Sequence, residues 1–163
     1  MNTPPYRIGF GFDTHMLAHD RELWVGGIKI PHHQGFSGHS DADVLIHAIC
    51  DAMLGAAHLR DIGYHFPNTD PQWKGADSKI LLKKCLELIS QKNYKIANID
   101  CTLVMEEPKI SPYIVEMENC LASVLQISSD DISIKATTNE KMGYIGRKEG
   151  ANAYAICLLY SIN

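Results

Sequence analysis

Amphipathic helices set between β-type segments are the feature that most limits how this chain can fold. Apolar residues recur at helical spacing from Asp43 to Leu59, with Ser40 or Asp41 available as the N-terminal cap. The same spacing predicts a second helix from Ser78 to Lys92 and a third from Pro112 to about Leu125. Helices with one apolar stripe must bury it against another layer. The chain therefore needs a sheet for these helices to cover.

The segments around the helices have the composition of strands. The sequence predicts a strand from Tyr6 to Phe12 that ends in the polar loop Asp13-Thr14-His15, and a short hairpin from Leu23 to Ile30. Further strands are predicted over Tyr94 to Met105, Ile132 to Thr138 and Ala151 to Ile162. This order predicts an α+β fold, with helices packed on one face of a mixed β-sheet. We expect a single domain over residues 1–163, with residues 1–5 as an N-terminal extension.

Composition excludes several classes of function. The 163 residues are 45% apolar, which suits one buried core. A net charge of −4, from 19 acidic and 15 basic residues with no Lys/Arg block, argues against a nucleic-acid partner. No uncharged apolar run approaches the ~20 residues that cross a bilayer, so no membrane partner is expected. The five cysteines, an odd number without a C-x-x-C pair, favour a reducing cytoplasm.

Three residues have the chemistry of a catalytic zinc site. Asp13 and His15 are two positions apart, so on an extended segment they point to the same side, and His47 lies in the first helix. Together they offer two nitrogens and one oxygen, which leaves tetrahedral zinc one open position. The alternative is a turn aspartate and two ordinary histidines satisfied by hydrogen bonds, which spacing alone favours. Either Asp43 or Asp51 could orient His47.

A second group of polar residues lies between Ala136 and Gly143. Threonine hydroxyls and backbone N–H groups there suit phosphate oxygens, and Glu140 offers the hard oxygen ligand that Mg²⁺ prefers. A plain threonine-rich turn is the alternative. Lys109, after Glu106-Glu107-Pro108, is either a surface lysine or a point charge for a phosphate.

The stretch from Arg60 to Asp77 is a long loop rich in turn-forming residues. It nevertheless contains the aromatic residues Tyr64, Phe66 and Trp73. Loops of this length without regular structure are uncommon unless they serve a function. A binding role is therefore favoured over a plain connection.

Short motifs along the chain together resemble those of the cyclodiphosphate synthases of the non-mevalonate isoprenoid pathway. The resemblance extends from Tyr6 to Ile162, in order and without large gaps. The motifs that carry it are Phe12-Asp13-Thr14-His15, His39-Ser40-Asp41-Ala42-Asp43, Asp61-Ile62-Gly63, Phe66-Pro67, Lys74-Gly75-Ala76-Asp77-Ser78, Pro108-Lys109, Lys135-Ala136-Thr137-Thr138 and Gly146-Arg147-Lys148-Glu149-Gly150.

The resemblance implies a phosphorus–oxygen lyase that works as a homotrimer. Its active sites would lie between neighbouring subunits, with the sheets at the centre and the helices outside. Its substrate would be 4-diphosphocytidyl-2-C-methyl-D-erythritol 2-phosphate, whose 2-phosphate attacks the β-phosphorus and displaces CMP.

The resemblance also implies roles for individual residues. Asp13, His15 and His47 would bind zinc, and Glu140 would bind Mg²⁺ or Mn²⁺. His39 and Thr138 would be the catalytic residues that stabilise the transition state.

Substrate contacts follow from the same resemblance. Asn68 stands where the family has an aspartate, and Asn139 and Tyr144 replace a threonine and a phenylalanine. The expected contacts at the metal and methylerythritol end are Asp13, Thr14, His15, His39, Ser40, Asp61, Ile62, Gly63, Phe66, Pro67, Asn68, Thr69 and Asp70. The expected contacts to the cytidine and diphosphate are Met105, Glu106, Glu107, Pro108, Lys109, Ile110, Ser111, Thr137, Thr138, Asn139 and Glu140, with Tyr144 and Arg147 near the trimer axis and the substrate.

Two other functions use the same residues. A zinc phosphohydrolase would attack phosphorus with a metal-bound hydroxide and release a hydrolysed diphosphate. A non-catalytic trimeric module would hold zinc with four protein ligands and no open position. The reaction product separates the first alternative from a cyclising enzyme.

Overall fold

A five-stranded mixed sheet organises the protein in the computed structural model, which describes residues 4–162. The strand order is β4-β1-β7-β5-β6, and every pair is antiparallel except β5 with β6. β2 and β3 form a separate hairpin. The strands are β1 (Tyr6–His19), β2 (Leu23–Val25), β3 (Ile28–Ile30), β4 (Gln34–Ser37), β5 (Tyr94–Val104), β6 (Ile132–Thr137) and β7 (Gly150–Ser161).

The three long helices lie on one face of this sheet. The face they cover is buried along β1, β5, β6 and β7, in the alternating pattern of a sheet with one covered side. The result is a single α+β domain, as predicted, and none of its described helices is long and apolar enough to cross a bilayer. The helices are α1 (Val44–Ala56), α2 (Ile62–His65), α3 (Ser78–Gln91), α4 (Ile114–Leu125) and α5 (Gly143–Gly146), with single 3₁₀ turns at Pro71–Trp73, Ser111–Tyr113 and Ser129–Asp131.

The first strand is longer than the sequence predicted. We expected it to end at Phe12, before a polar loop, but β1 continues to His19. Its polar residues stay in register with β7, where Asp13 pairs with Ala153 and His15 with Ala151. The loop prediction was wrong because the strand partner, which supplies the hydrogen bonds, lies at the other end of the chain.

Asp43 caps α1, in place of the predicted Ser40 or Asp41. Its carboxylate accepts from the backbone N–H of Ile46 at 3.0 Å, and also from both glycines of the Gly26-Gly27 turn at 3.0 and 2.7 Å. Burial raises the pKa of the Asp43 carboxyl above its ordinary value, although these backbone donors act in the opposite direction. One side chain thus joins the helix start to the β2–β3 hairpin.

Helix α1 lies unusually close to β1. A Cβ atom at Gly9 would be 1.9 Å from the carbonyl oxygen of Ala52, and one at Gly11 would be 1.9 Å from that of Ala48. Only glycine leaves room for this contact of backbone with backbone. The contact holds α1 directly over the part of β1 that carries Asp13.

The other face of the sheet exposes a row of large apolar side chains. Ile8 is 72% exposed and Phe10 is 63% exposed, and Phe12 and Ile156 lie on the same side. Contiguous apolar surface of this kind commonly marks an interaction site. The single chain leaves this face uncovered.

We predict that Gly11→Ala lowers the free energy of unfolding by about 1–3 kcal/mol, because the added methyl group overpacks the contact between α1 and β1. Urea denaturation at a fixed protein concentration measures the change. Gly55→Ala is the matched control, because apart from its chain neighbours and the nearby backbone of its own helix no described atom lies within 4 Å of the Cβ position at Gly55. Within a helix that change should stabilise by about 0.5–1 kcal/mol. Wild-type stability in Gly11→Ala would contradict the close contact.

Candidate active site

Asp13, His15 and His47 converge on one point between the sheet and α1. Asp13 and His15 are inward-facing positions of β1, and His47 lies in the first turn of α1. Asp13 Oδ2 is 2.9 Å from His15 Nδ1 and 3.1 Å from His47 Nδ1. The ligand atoms of the three residues all lie within 4.8 Å of one another. The predicted convergence of the three residues is therefore confirmed.

The electrostatics of the cluster suit a cation. Burial raises the pKa of Asp13, but the short contacts with the His15 and His47 rings and the charges of both rings bring it below its ordinary value. Burial lowers the pKa of His47, but the hydrogen bond and charge of Asp13 bring it above its ordinary value. His15 Nδ1 is buried, and its 2.9 Å contact with Asp13 Oδ2 is poorly aligned for a hydrogen bond. Two imidazoles and a carboxylate with an unpaired buried nitrogen fit a divalent transition metal.

The other ring nitrogen of His47, Nε2, also has hydrogen-bond partners. It lies 3.0 Å from Ser78 Oγ and 3.2 Å from Ser40 Oγ. Within residues 4–162, the carboxylates of Asp43 and Asp51, the predicted orienting residues, form no hydrogen bond with the His47 ring. Asp43 caps α1, and Asp51 accepts from the backbone N–H of Ile62 at 2.7 Å. Burial raises the pKa of the Asp51 carboxyl.

A cavity of about 250 Å³ opens onto the cluster. His39 and Ser40 line it as predicted, and His39 Nε2 is buried without a hydrogen-bond partner in the described part of the chain. Sequence analysis missed three lining residues: Gly38, Trp73 and Leu81. Of these only Trp73, an aromatic residue in a long polar loop, gave a signal. The lining residues are Asp13, His15, Gly38, His39, Ser40, His47, Ile62, Gly63, Phe66, Asn68, Trp73 and Leu81.

Two loops are joined at the edge of this cavity. Gly75 N donates to His39 O at 2.7 Å, and Asp41 N donates to Ala76 O at 3.0 Å. These bonds fix the segment that carries His39 and Ser40 against the start of α3. The donors of that segment are therefore held in place before any ligand binds.

Four predicted contact residues support the cavity wall and do not line the cavity. Asp61 caps α2 by accepting from Tyr64 N at 2.9 Å, and Asp70 accepts from Gln72 N at 2.9 Å in the next turn. Pro67 O accepts from Asp70 N at 3.0 Å, and Thr69 is exposed between them. In this chain they shape the loop that presents Ile62, Gly63, Phe66 and Asn68.

A second cavity, of about 230 Å³, lies at the ends of β5 and β6. Seven of the predicted cytidine and diphosphate contacts line it, together with Leu103 and Ala136. Glu107 and Pro108 are not in its lining, and Glu107 instead pairs with Lys148 at 2.6 Å. Its lining residues are Leu103, Met105, Glu106, Lys109, Ile110, Ser111, Ala136, Thr137 and Thr138. The two cavities share no residue.

Glu140 lies beside this second cavity and away from the histidine cluster. Its Oε1 accepts from Thr138 Oγ1 at 3.2 Å, and the residue has a left-handed backbone with φ of 50°. Asn139 N donates to Glu106 Oε2 at 3.2 Å. An exposed carboxylate next to a hydroxyl fits Mg²⁺, which commonly takes one carboxylate plus phosphate oxygens.

Three further predicted contacts lie elsewhere in the chain. Thr14 is on the outer face of the sheet, opposite to Asp13, where its Oγ1 lies 3.5 Å from Tyr144 Oη and donates to Ala151 O at 3.3 Å. Arg147 forms two hydrogen bonds with Glu149, at 2.8 and 3.0 Å. Contact of Thr14, Tyr144 or Arg147 with substrate remains a prediction.

The fold and the site define a single-domain α+β protein with an Asp-His-His centre that faces a ligand-sized cavity. The model of the YgbB family matches residues 6–160, and the chain belongs to that family. Two curated relatives named 2-C-methyl-D-erythritol 2,4-cyclodiphosphate synthase are similar over almost their full lengths. The one from Porphyromonas gingivalis is 59% identical over 95% of this chain and 96% of its own, and the one from Cytophaga hutchinsonii is 57% identical over 94% and 96%.

Solved structures agree with this assignment. The bifunctional IspDF from Campylobacter jejuni superposes with a TM-score of 0.93 at 37% identity, over 97% of this chain. This chain spans 43% of the length of that bifunctional protein. A Plasmodium falciparum structure described as an IspF CDP complex gives a TM-score of 0.86 at 35% identity, over 99% of this chain and 100% of its own.

We predict that the purified chain binds one divalent transition-metal ion at Asp13, His15 and His47, and that His47→Ala lowers the affinity at least tenfold because one of three ligands is lost. Metal analysis after dialysis against a weak chelator measures this. His33→Ala is the matched control, because His33 and His32 form a second pair of histidines, with ring centroids 4.3 Å apart, outside the predicted site. Loss of the ion in His33→Ala, and not in His47→Ala, would show that the metal binds at His32 and His33 instead.

Proposed function

We propose that this protein converts 4-diphosphocytidyl-2-C-methyl-D-erythritol 2-phosphate to 2-C-methyl-D-erythritol 2,4-cyclodiphosphate and CMP, in the cytoplasm. The observation that carries the proposal is the convergence of Asp13, His15 and His47 at the wall of a cavity. Three protein ligands leave tetrahedral zinc one position for a substrate oxygen, as in catalytic zinc sites. The names of the curated relatives supply the product, and the resemblance in the motifs supplies the substrate.

The reaction is an intramolecular phosphoryl transfer. An oxygen of the 2-phosphate forms a bond to the β-phosphorus, and the bond from that phosphorus to the bridging oxygen breaks. CMP leaves with the bridging oxygen and its electron pair. No water is consumed and no protein nucleophile is needed, so the protein acts by positioning and by electrostatic stabilisation.

The metal-side cavity suits the methylerythritol and phosphate end of this substrate. His39 Nε2 and Ser40 Oγ offer polar groups in its wall, and Asn68 offers an amide for a hydroxyl. The unpaired buried nitrogen of His39 is available to donate to a phosphate oxygen as charge develops there. Phe66 and Trp73, whose ring centroids are 5.0 Å apart, give the opposite wall an apolar surface for the methyl group and carbon chain.

Metal ions would supply the charge stabilisation that the side chains lack. Zinc at Asp13, His15 and His47 would act as a Lewis acid, and Mg²⁺ or Mn²⁺ at Glu140 would neutralise the phosphates. The same residues fit these ions by donor type, with imidazole for zinc and a lone carboxylate for the harder cation.

The second cavity suits the cytidine and its phosphates. Leu103, Ile110 and Ala136 give it an apolar floor for a base. Lys109 and the hydroxyls of Thr137 and Thr138 at its rim are donors for phosphate oxygens. The CDP named in the description of the Plasmodium relative is a ligand of this chemical class.

We also propose that the protein assembles as a homotrimer whose active sites are composite. The exposed apolar row of Ile8, Phe10, Phe12 and Ile156 gives the sheet a face that packing against other copies would bury. The metal cavity and the cytidine cavity have no residue in common. One subunit would supply the first cavity and its neighbour the second.

Phosphorus NMR of the products tests the reaction. We expect the cyclic diphosphate and CMP in equal amounts from the cytidyl substrate, with activity lost in chelator and restored by zinc plus Mg²⁺. The physical reason is that both cations neutralise charge that grows as the leaving group departs. A linear hydrolysed diphosphate would support the phosphohydrolase alternative, and absence of turnover with both metals present would exclude catalysis on this substrate.

Mixed trimers test the composite site. His47→Ala and Thr138→Ala each damage one cavity, so each protein alone should be at least tenfold less active than wild type. Co-expressed chains should regain part of the activity, because some interfaces in a mixed trimer combine two intact cavities. Verified mixed trimers with no activity above either parent would mean that both cavities of one site belong to one chain.

A further inference from the structure

We propose that Asp41 and Ser78 are positioning residues that fix the tautomer and orientation of His47, so that its Nδ1 is the metal-binding nitrogen. The inference rests on the proposed metal role of Asp13, His15 and His47. It concerns two residues outside that ligand set that touch neither the metal nor the substrate in the proposed reaction.

A continuous chain of hydrogen bonds connects these residues. Ser78 is fully buried, and its hydroxyl donates to Asp41 Oδ1. Its backbone N–H donates to the other oxygen, Asp41 Oδ2, at 2.9 Å. The same hydroxyl oxygen lies 3.0 Å from His47 Nε2. Asp41 therefore contacts Ser78 at two points, and Ser78 contacts His47.

The number of hydrogen atoms on each group determines which group donates in each of these hydrogen bonds. A serine hydroxyl has one hydrogen, and an ionised carboxylate can only accept. Because the Ser78 hydrogen goes to Asp41, the Ser78 oxygen can only accept from His47, which must carry a hydrogen on Nε2. The other ring hydrogen, on Nδ1, lies towards Asp13 Oδ2 at 3.1 Å, and its loss leaves a lone pair on Nδ1. The nitrogen that faces the cluster is thus the one free to bind a metal.

The Ser40 hydroxyl lies on the same side of the ring as Ser78. Its Oγ lies 3.2 Å from His47 Nε2 and accepts from the backbone N–H of Ala42 at 3.0 Å. Two hydroxyl oxygens therefore face Nε2, while Nδ1 faces a carboxylate. This difference between the two sides of the ring opposes a flip of the imidazole.

The position of the Ser78 hydroxyl is not explained by capping of α3. Serine at a helix start normally caps the exposed backbone N–H groups. In α3 the cap is Asp77, whose carboxylate accepts from Lys79 N at 2.8 Å. The Ser78 side chain is instead turned inward to Asp41 and His47. Outer hydrogen bonds of this kind orient metal-binding histidines, and their loss typically costs about 10–100-fold in metal affinity or activity.

Zinc affinity of the full chain, measured by competition with a chromophoric chelator, tests the proposal. We expect Ser78→Ala to bind zinc about 10–100-fold more weakly than wild type. Asp41→Asn keeps the shape of the side chain, but its amide can donate to Ser78, so that the serine hydrogen is free to point towards His47. We expect zinc affinity in this variant to fall at least tenfold too. Cys85→Ala, a buried change in the same helix, should lower the melting temperature and leave zinc affinity unchanged.

Nitrogen-15 NMR of histidine-labelled, zinc-loaded protein gives a readout that a purely structural role would not move. Two-bond correlations should show the hydrogen of His47 on Nε2 and the metal on Nδ1. The opposite assignment would overturn the proposal, whether or not Ser78→Ala folds.

The controls separate this inference from the proposed function. A wild-type protein that binds no zinc would overturn both. A wild-type protein that binds zinc, with unchanged affinity in Asp41→Asn and in folded Ser78→Ala, would overturn only the positioning role.

Discussion

The contact of α1 with β1 is the constraint on which the rest of the structure depends. Because Gly9 and Gly11 have no side chains, the carbonyl oxygens of Ala52 and Ala48 can approach the strand backbone directly. His47 immediately precedes Ala48, and Asp13 lies two residues beyond Gly11 on the same face. A side chain at either glycine would push the helix away and separate His47 from the strand ligands.

Successive side chains of β1 point to opposite faces of the sheet, so the strand contributes to two different surfaces. Asp13 and His15 point towards α1 and the metal cavity, while Ile8, Phe10 and Phe12 point away from it. A slip of one residue against β7 would exchange the two sets. The proposed metal binding and the proposed assembly therefore depend on the same register. The long ladder between β1 and β7, from Tyr6 to Met16, holds that register.

Three aspartates close to α1 have different hydrogen-bond partners and therefore different roles. Asp43 accepts from three backbone N–H groups and joins α1 to the β2–β3 hairpin, so it has no role at the cavity. Asp13 faces two imidazoles and is left for a cation. Asp41 holds the start of α3 through Ser78. Partners within a few ångströms thus give three aspartates of the same region different functions.

The sequence alone determined the main helices, the glycine hairpin, the α+β class and the family resemblance, because these depend on local periodicity and short motifs. It also supplied the candidates Asp13, His15 and His47. Only the tertiary structure decided that β1 runs through Asp13 and His15, because the hydrogen bonds that extend it come from β7. Likewise, the choice of Asp43 as the cap of α1 and the inward turn of Ser78 were decided by partners far along the chain. Spacing in a sequence fixes which residues can share a face, but the distance between residues 34 positions apart, such as Asp13 and His47, depends on how closely helix and sheet pack.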